Sequence, residues 1–218
     1  MTRPAAPDLS AALALIVITD AAMVAARSDG RSLVEVVTRA CAAGAGCVQL
    51  RMKGASARAQ AEAARDLLPV VHTHGALLFV NDRADVAAAV GADGVHVGPD
   101  DLPVAGIRRA FGTQLLIGYS TDDPEKARAA EAAGADYLGC GAVYGTTSKD
   151  VGDEAIGLDR LGTVVEAVHL PVVGIGGITP DRAPAVRGTG AAGVAVIGAV
   201  MTADTVESAV RALISERN

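Results

Sequence analysis

The chain has 218 residues, 50% of them hydrophobic and 20% charged, with a formal net charge of −6, enough to bury one sizeable core in a single domain. The acidic balance argues against a general nucleic-acid surface, and no Trp, two Phe and three Tyr leave little for stacking on bases. No stretch is long and uncharged enough to cross a membrane, and any anionic ligand has to be held by a few local groups.

Residues 1–8 carry little core material and are expected to be a flexible terminus ahead of one domain over 9–218. The apolar run over 9–26 has the look of a secretory leader, but Arg3 is a thin basic region and Asp20 interrupts the run. Residues 13–18 read instead as a first strand ending at Thr19-Asp20. A phrase then recurs: AAGAGCVQL from 42, AVGADGVHV from 89, AAGADYLGC from 132 and GTGAAGVAV from 188. Each joins a helix ending in Gly to a buried strand. Gly44, Gly91, Gly134 and Gly190 are 47, 43 and 56 residues apart, about twice the length of one strand-helix unit of roughly 25 residues, so the phrase marks every second strand. Other apolar strands fall between, at 13–18, 77–80, 115–118 and 172–175. Helical spacing of apolar residues predicts helices near 32–43, 56–72, 84–90, 103–110, 123–133, 158–168, 180–187 and 204–214. Eight alternating units in this length predict an α/β fold, a single-domain (β/α)8 TIM barrel, rather than an open sheet. Cys41, Cys47 and Cys140 are an odd number without metal spacing, each in an apolar stretch. They read as reduced core thiols of an intracellular, cytoplasmic protein.

In such a barrel a ligand site is built where the strands end. Strand two supplies Gln49, Arg51 and Lys53, alternating with Val48, Leu50 and Met52 and so sharing one face; an anion would satisfy them, and a solvated edge strand is the plainer alternative. Strands three and four end at Asn81-Asp82 and, past Gly98, at Asp100-Asp101. Consecutive parallel strands place both ends on one side, so Asp82 and Asp101 can converge across 19 residues of sequence. Two carboxylates suit a divalent cation completed by water or phosphate oxygens, although N-cap and turn roles also fit Asp and Asn. Ser120 ends strand five, where capping the next helix is an equally good reading. Strand six runs into Thr146, Thr147, Ser148 and Lys149, suited to phosphate oxygens or to a solvated loop. The polar, Gly-rich stretch over 143–157 is a candidate active-site loop. Gly176 and Gly177 after strand seven and Gly198 after strand eight would let backbone N–H groups approach a phosphate. His96, within strand four, reads as a hydrogen-bonded core histidine. His72 and His74 have no completing metal ligands in sequence, and His169 reads as a helix-end residue. Nothing asks for covalent catalysis; the inventory is two anion pockets with a cation site beside one.

These stretches resemble the thiamine-phosphate synthase family over nearly the whole chain, 13–213, through VQLRMK at 48, FVNDRADVAAAVGADGVHVGPDDLP at 79, IGYST at 117, GADYLGCGAVYGTTSK at 134 and PVVGIGGIT at 171. The resemblance implies an enzyme with small-molecule substrates as partners, joining an aminomethylpyrimidine diphosphate to a thiazole phosphate, or its carboxylated form, using magnesium (Mg2+) and releasing pyrophosphate. By position it implies that Gln49, Arg51, Lys53, Asn81, Ser120 and Lys149 hold the pyrimidine diphosphate and that Asp82 and Asp101 bind the metal. Thr146, Thr147, Ser148, Gly177 and the Ile197-Gly198 backbone would hold the thiazole phosphate. Arg51, Lys53 and Lys149 would carry leaving-group charge as pyrophosphate departs ahead of capture by the thiazole nitrogen. The chain departs from the family pattern at Met52, where Glu is usual, at Ala142 and Gly145, where Pro is usual, and at Ser148 and Gly198, where Thr and Ser are common; loss of proline is expected to loosen the approach to Thr146. A thiazole tautomerase on the same scaffold, or a non-catalytic phosphate-ligand sensor, would not need the diphosphate and metal set that this chain carries together. Oligomeric state is left open, a homo-oligomer included.

Overall fold

Eight short, largely buried runs form eight parallel strands. They are β1 (Leu15–Ile18), β2 (Cys47–Leu50), β3 (Leu77–Asn81), β4 (Gly94–Val97), β5 (Leu116–Ser120), β6 (Tyr137–Cys140), β7 (Val172–Ile175) and β8 (Gly193–Val196). Each pairs with the next in sequence, and β8 closes on β1 with Ile16 opposite Ala195. This is the expected (β/α)8 TIM barrel. The computed structural model describes residues 9–145 and 155–215; the expectation for residues 1–8 lies outside them.

The helices predicted from periodicity are α3 (Leu33–Ala42), α4 (Ala57–Thr73), α5 (Ala84–Val90), α6 (Val104–Phe111), α7 (Pro124–Ala132), α8 (Gly157–Ala167), α9 (Ala183–Arg187) and α11 (Val206–Ile214). Their ends follow local chemistry. Ser32 and Glu35 form a capping box on α3, Asp123 accepts from the first turn of α7, and Gly91 ends α5 at φ 73°. Three further short helices, α1 (Leu9–Ala12), α2 (Ala21–Ala25) and α10 (Gly198–Met201), were not predicted. α1 and the chain after it lie against the N-terminal end of the barrel, where a methyl at Gly46 would overlap Ala12 and one at Gly193 would overlap the Leu13 and Ala14 backbone. None of the described helices is long and apolar enough to cross a membrane.

Two of the repeated phrases carry an Asp two residues after their Gly, and both do the same work. Asp93 accepts from the Leu78 N–H at 2.8 Å and pairs with His72 at 2.9 Å. Asp136 accepts from the Ile117 N–H at 2.7 Å and pairs with Arg108 at 2.6 Å. Each carboxylate satisfies the backbone donor of a strand's second residue and ties the strand to the preceding helix.

Strand parity sends Val48, Leu78, Val80, Ile117 and Leu138 outward under the helices and Phe79, His96 and Tyr137 into the barrel, all buried. An eight-stranded barrel has room for such rings only where its neighbours are small. Gly94 lies opposite Phe79 in register, and Gly118 lies between His96 and Tyr137. A methyl at Gly94 would overlap the Phe79 ring, and one at Gly118 the Tyr137 ring and His96 Nδ1. The clearance lets Phe79 and Tyr137 meet edge-on, centroids 5.4 Å apart at 89°, a pairing worth about 0.5–1.5 kcal/mol beyond area burial. Gly118→Ala is therefore expected to destabilise the fold by about 1–3 kcal/mol through overpacking, read as a lower urea midpoint at unchanged m value; an unchanged midpoint would mean that the rings have slack.

Candidate active site

A cavity of about 380 Å³ opens where the strands end, floored by Ile16, Ile18, Gln49, His96, Tyr137, Val173 and Ala195. Of the residues singled out from sequence, Gln49, Arg51, Lys53, Asn81, Asp82, Asp101, Ser120 and Ile197 all line it. Closure of the sheet removes the edge-strand explanation for Gln49, Arg51 and Lys53. Regular β2 stops at Leu50, earlier than the alternation suggests, and the face continues because buried Thr19 extends the pairing: its N–H donates to the Gln49 carbonyl at 2.9 Å and its Oγ1 accepts from the Arg51 N–H at 3.0 Å. Arg51 and Lys53 thus leave the strand on the cavity side.

Capping does not account for the acidic pair. The residues at the starts of α5 and α6 are Arg83 and Pro103, neither with a side-chain cap. Asp82 has φ 64°, the positive-φ non-glycine residue among those described, and its N–H donates to the His96 carbonyl at 2.8 Å. That conformation costs about 1–2 kcal/mol and is held by the turn that aims the carboxylate. Asp101 folds back so that its carboxylate accepts from the Gly98 N–H at 2.7 Å. The two carboxyls meet: burial first, then the charge and hydrogen bond of Asp101, push the Asp82 carboxyl up to about 6 against the pull of Lys53 and Arg51. Two cations and three carboxylates, Asp100 included, line the cavity. A diphosphate entering alone would meet net negative charge from the described residues, so these oxygen donors fit a divalent cation arriving with it.

Ser120 does not cap α7, whose cap is Asp123. Its hydroxyl instead bonds His96 Nε2 at 2.8 Å, while His96 Nδ1 bonds the Tyr137 hydroxyl, also at 2.8 Å. His96 is the hydrogen-bonded interior histidine expected, and it also faces the cavity. Sequence reasoning passed over Asp100, Tyr137 and Gly139 as cavity residues. Tyr137 could have been found from parity, since it stands two residues before Gly139 in a strand whose inward face ends at the site.

Gly177 and Gly198 follow the same strand ends but do not line the cavity. The chain after β6 runs beside the chain after β7, with Val143 donating to Ile175 at 2.8 Å and Tyr144 to Gly176 at 3.1 Å. A side chain at Gly177 would meet the Gly145 carbonyl at 2.5 Å. Arg182 holds this junction, donating to the Gly177 carbonyl at 2.7 Å with its guanidinium 4.6 Å from the Tyr144 ring centroid. Thr146, Thr147, Ser148 and Lys149 lie outside the described residues. Among those described, no group of three or more His, Cys, Asp or Glu is arranged to hold a metal. The three cysteines are buried thiols; burial pushes Cys41 and Cys140 up to about 12.

A family model described as thiamine monophosphate synthase matches residues 15–200, spanning every strand of the barrel. The chain belongs to the thiamine-phosphate synthase family. A thiamine-phosphate synthase of Natronomonas pharaonis is 51% identical over 191 residues, 87% of this chain and 89% of its own length. One from Chlorobium luteolum is 43% identical over 204 residues, 94% of this chain and 92% of its own. Among solved structures, thiamine phosphate pyrophosphorylase from Pyrococcus furiosus superposes with a TM-score of 0.84 at 42% identity, covering 94% of this chain and 96% of that one. A 3-hexulose-6-phosphate synthase with a TM-score of 0.68 at 20% identity shares the fold alone. Membership of the synthase family makes the chain a transferase of thiamine biosynthesis, and the tautomerase and sensor readings are not favoured.

The acidic pair of this synthase-family chain has a consequence for stability. The folded Asp82 carboxyl keeps its proton to a higher pH than the unfolded chain's, so the native state binds more protons between about pH 4 and 6 and loses stability as pH rises through that window. In metal-free protein Asp82→Asn is expected to melt above the parent at pH 7.5, with the difference vanishing near pH 4, as followed by calorimetry; a variant melting below the parent at pH 7.5 would refute the repulsion.

Proposed function

We propose that this chain condenses 4-amino-2-methyl-5-(diphosphomethyl)pyrimidine with a thiazole phosphate, giving thiamine phosphate and pyrophosphate. The observation that carries the reading is the junction in one cavity of a paired carboxylate site, Asp82 and Asp101, with two cations, Arg51 and Lys53, above a polar floor of Gln49 and Ser120. A phosphate pocket alone would need no carboxylates. An aminopyrimidine offers adjacent donor and acceptor atoms, which the floor can match, while its diphosphate reaches the charged rim.

The bond between the pyrimidine methylene and the diphosphate oxygen breaks with its electron pair leaving on oxygen, and the thiazole nitrogen lone pair then forms the new carbon–nitrogen bond. No proton has to be removed from carbon, so the step asks for no general base. Arg51 and Lys53 stabilise the charge that develops on the departing oxygen, and Lys149 is assigned the same role. Asp82 and Asp101 would hold magnesium (Mg2+), which when bound supplies Lewis-acid neutralisation of the diphosphate. Asn81, at the end of β3 beside Asp82, is assigned to the diphosphate. Thr146, Thr147, Ser148, Gly177 and the backbone at Ile197-Gly198 are assigned to the thiazole phosphate. Fixing both reactants in one cavity removes up to roughly 7–11 kcal/mol of barrier in favourable cases.

Purified protein supplied with both phosphorylated substrates and magnesium is expected to release pyrophosphate and thiamine phosphate in equal amounts. Chelation should stop both, and undiminished product after thorough chelation would remove the metal role of Asp82 and Asp101. Lys53→Ala and Asp82→Asn should each cut turnover by about 10²-fold or more with the circular-dichroism spectrum retained; near-parental rates would take those side chains out of the reaction.

A further inference from the structure

Tyr137 and His96 are a phenol and an imidazole in the interior of the barrel, beside the buried carboxamide of Gln49. Tyr137 is fully buried and His96 is 9% exposed. Gly118 on β5, between the two, clears the space that both rings occupy, and Gly139, two residues beyond Tyr137 on β6, leaves room for the His96 ring. Hydrophobic side chains of similar size would fill the same space without polar groups to satisfy, so packing alone does not explain the choice. What the pair does is join β2 to β5 across the barrel. The Gln49 carboxamide is a hydrogen-bond partner of the Tyr137 hydroxyl. That hydroxyl bonds His96 Nδ1, and His96 Nε2 bonds the Ser120 hydroxyl. Gln49 and Ser120 both face the cavity.

We infer that Tyr137 and His96 are positioning residues that force Gln49 and Ser120 to offer opposite hydrogen-bonding polarity to the aminopyrimidine ring. A neutral imidazole carries one N–H and a phenol one O–H, so the chain of bonds runs in a single direction. In one direction the Gln49 amide donates to Tyr137, Tyr137 to Nδ1, and Nε2 to Ser120; Gln49 then turns its carbonyl to the cavity and Ser120 its O–H. In the other direction Ser120 donates to Nε2, Nδ1 to Tyr137, and Tyr137 to the Gln49 carbonyl; Gln49 then shows its N–H group and Ser120 a lone pair. Either way the cavity presents one donor and one acceptor, the complement of an amino group beside a ring nitrogen. Without the relay, the Ser120 hydroxyl and the Gln49 amide would turn independently, and half of their joint arrangements would mismatch the ring.

The inference rests on the assignment of Gln49 and Ser120 to the pyrimidine. Its test is a double-mutant cycle on purified enzyme, with KM measured separately for the pyrimidine diphosphate and the thiazole phosphate. Tyr137→Phe is expected to raise KM for the pyrimidine about tenfold, the worth of one well-placed hydrogen bond, and to leave KM for the thiazole phosphate unchanged. In a Ser120→Ala background the same change should cost less than about threefold, because the relay then has no output. An equal factor in both backgrounds, or a parallel rise in both KM values, would reduce Tyr137 to a structural role. If Ser120→Ala raises the pyrimidine KM and Tyr137→Phe does not, the relay fails and the site assignment stands; if Ser120→Ala leaves it unchanged, the assignment fails and the relay with it. Should Tyr137→Phe not fold, His96→Gln against His96→Leu decides: the amide can still hold Ser120 and should retain more pyrimidine affinity than the isosteric hydrocarbon, and equal losses would overturn the proposal.

Discussion

The pairing of β8 with β1 is the constraint on which the rest of the molecule depends. Ile16 opposite Ala195 and Val17 opposite Val196 turn an eight-strand sheet into a ring, which leaves every strand without an edge and brings the eight carboxyl ends to one rim. Only then do side chains as distant in sequence as Ile16, Asp101 and Ile197 enclose the same space. The closure also fixes parity: once the outward residues are committed to the helices, the inward ones are committed to the interior, and one residue's slip in any strand would exchange the two sets.

Within that frame the site is electrostatically unfinished. The Asp82–Asp101 pair is held together by backbone turns, and Lys53 and Arg51 compensate its charge only in part, so one carboxyl retains its proton well above the usual range. Stability is given up at the rim to keep two oxygen donors adjacent, a common trade where binding rather than folding sets the arrangement. At the other end of the barrel carboxylates do the opposite. Asp93 and Asp136 are each satisfied by a strand N–H and a cationic or imidazole partner, and they serve the fold.

Much of this was legible in the sequence because it rests on periodicity and position. The recurring Gly-Ala phrase and the apolar runs between its copies gave the strands, and the polar residues just past them gave Gln49, Arg51, Lys53, Asn81, Asp82, Asp101 and Ser120. What was not legible depended on contacts between strands. Nothing local to Tyr137 says that its hydroxyl reaches His96 and Gln49, since those partners come from β4 and β2. The nearest signal is the spacing Gly94-x-His96, Gly118-x-Ser120 and Tyr137-x-Gly139, which places a glycine and a larger group alternately on the inward face. Read strand by strand, each glycine weakens a β-segment; read together, they are the vacancies that three rings fill. The helices α1, α2 and α10, of four or five residues each, were not predicted, whereas α9, no longer than α2, was found within the longer periodic stretch over 180–187.

Helix α1 and the residues after it bear on molecular traffic. By lying against the N-terminal end of the barrel, with Ala12, Leu13 and Ala14 pressed on Gly46 and Gly193, they leave the interior a blind well. Anything seated on its floor has arrived through the rim and departs by the same doorway.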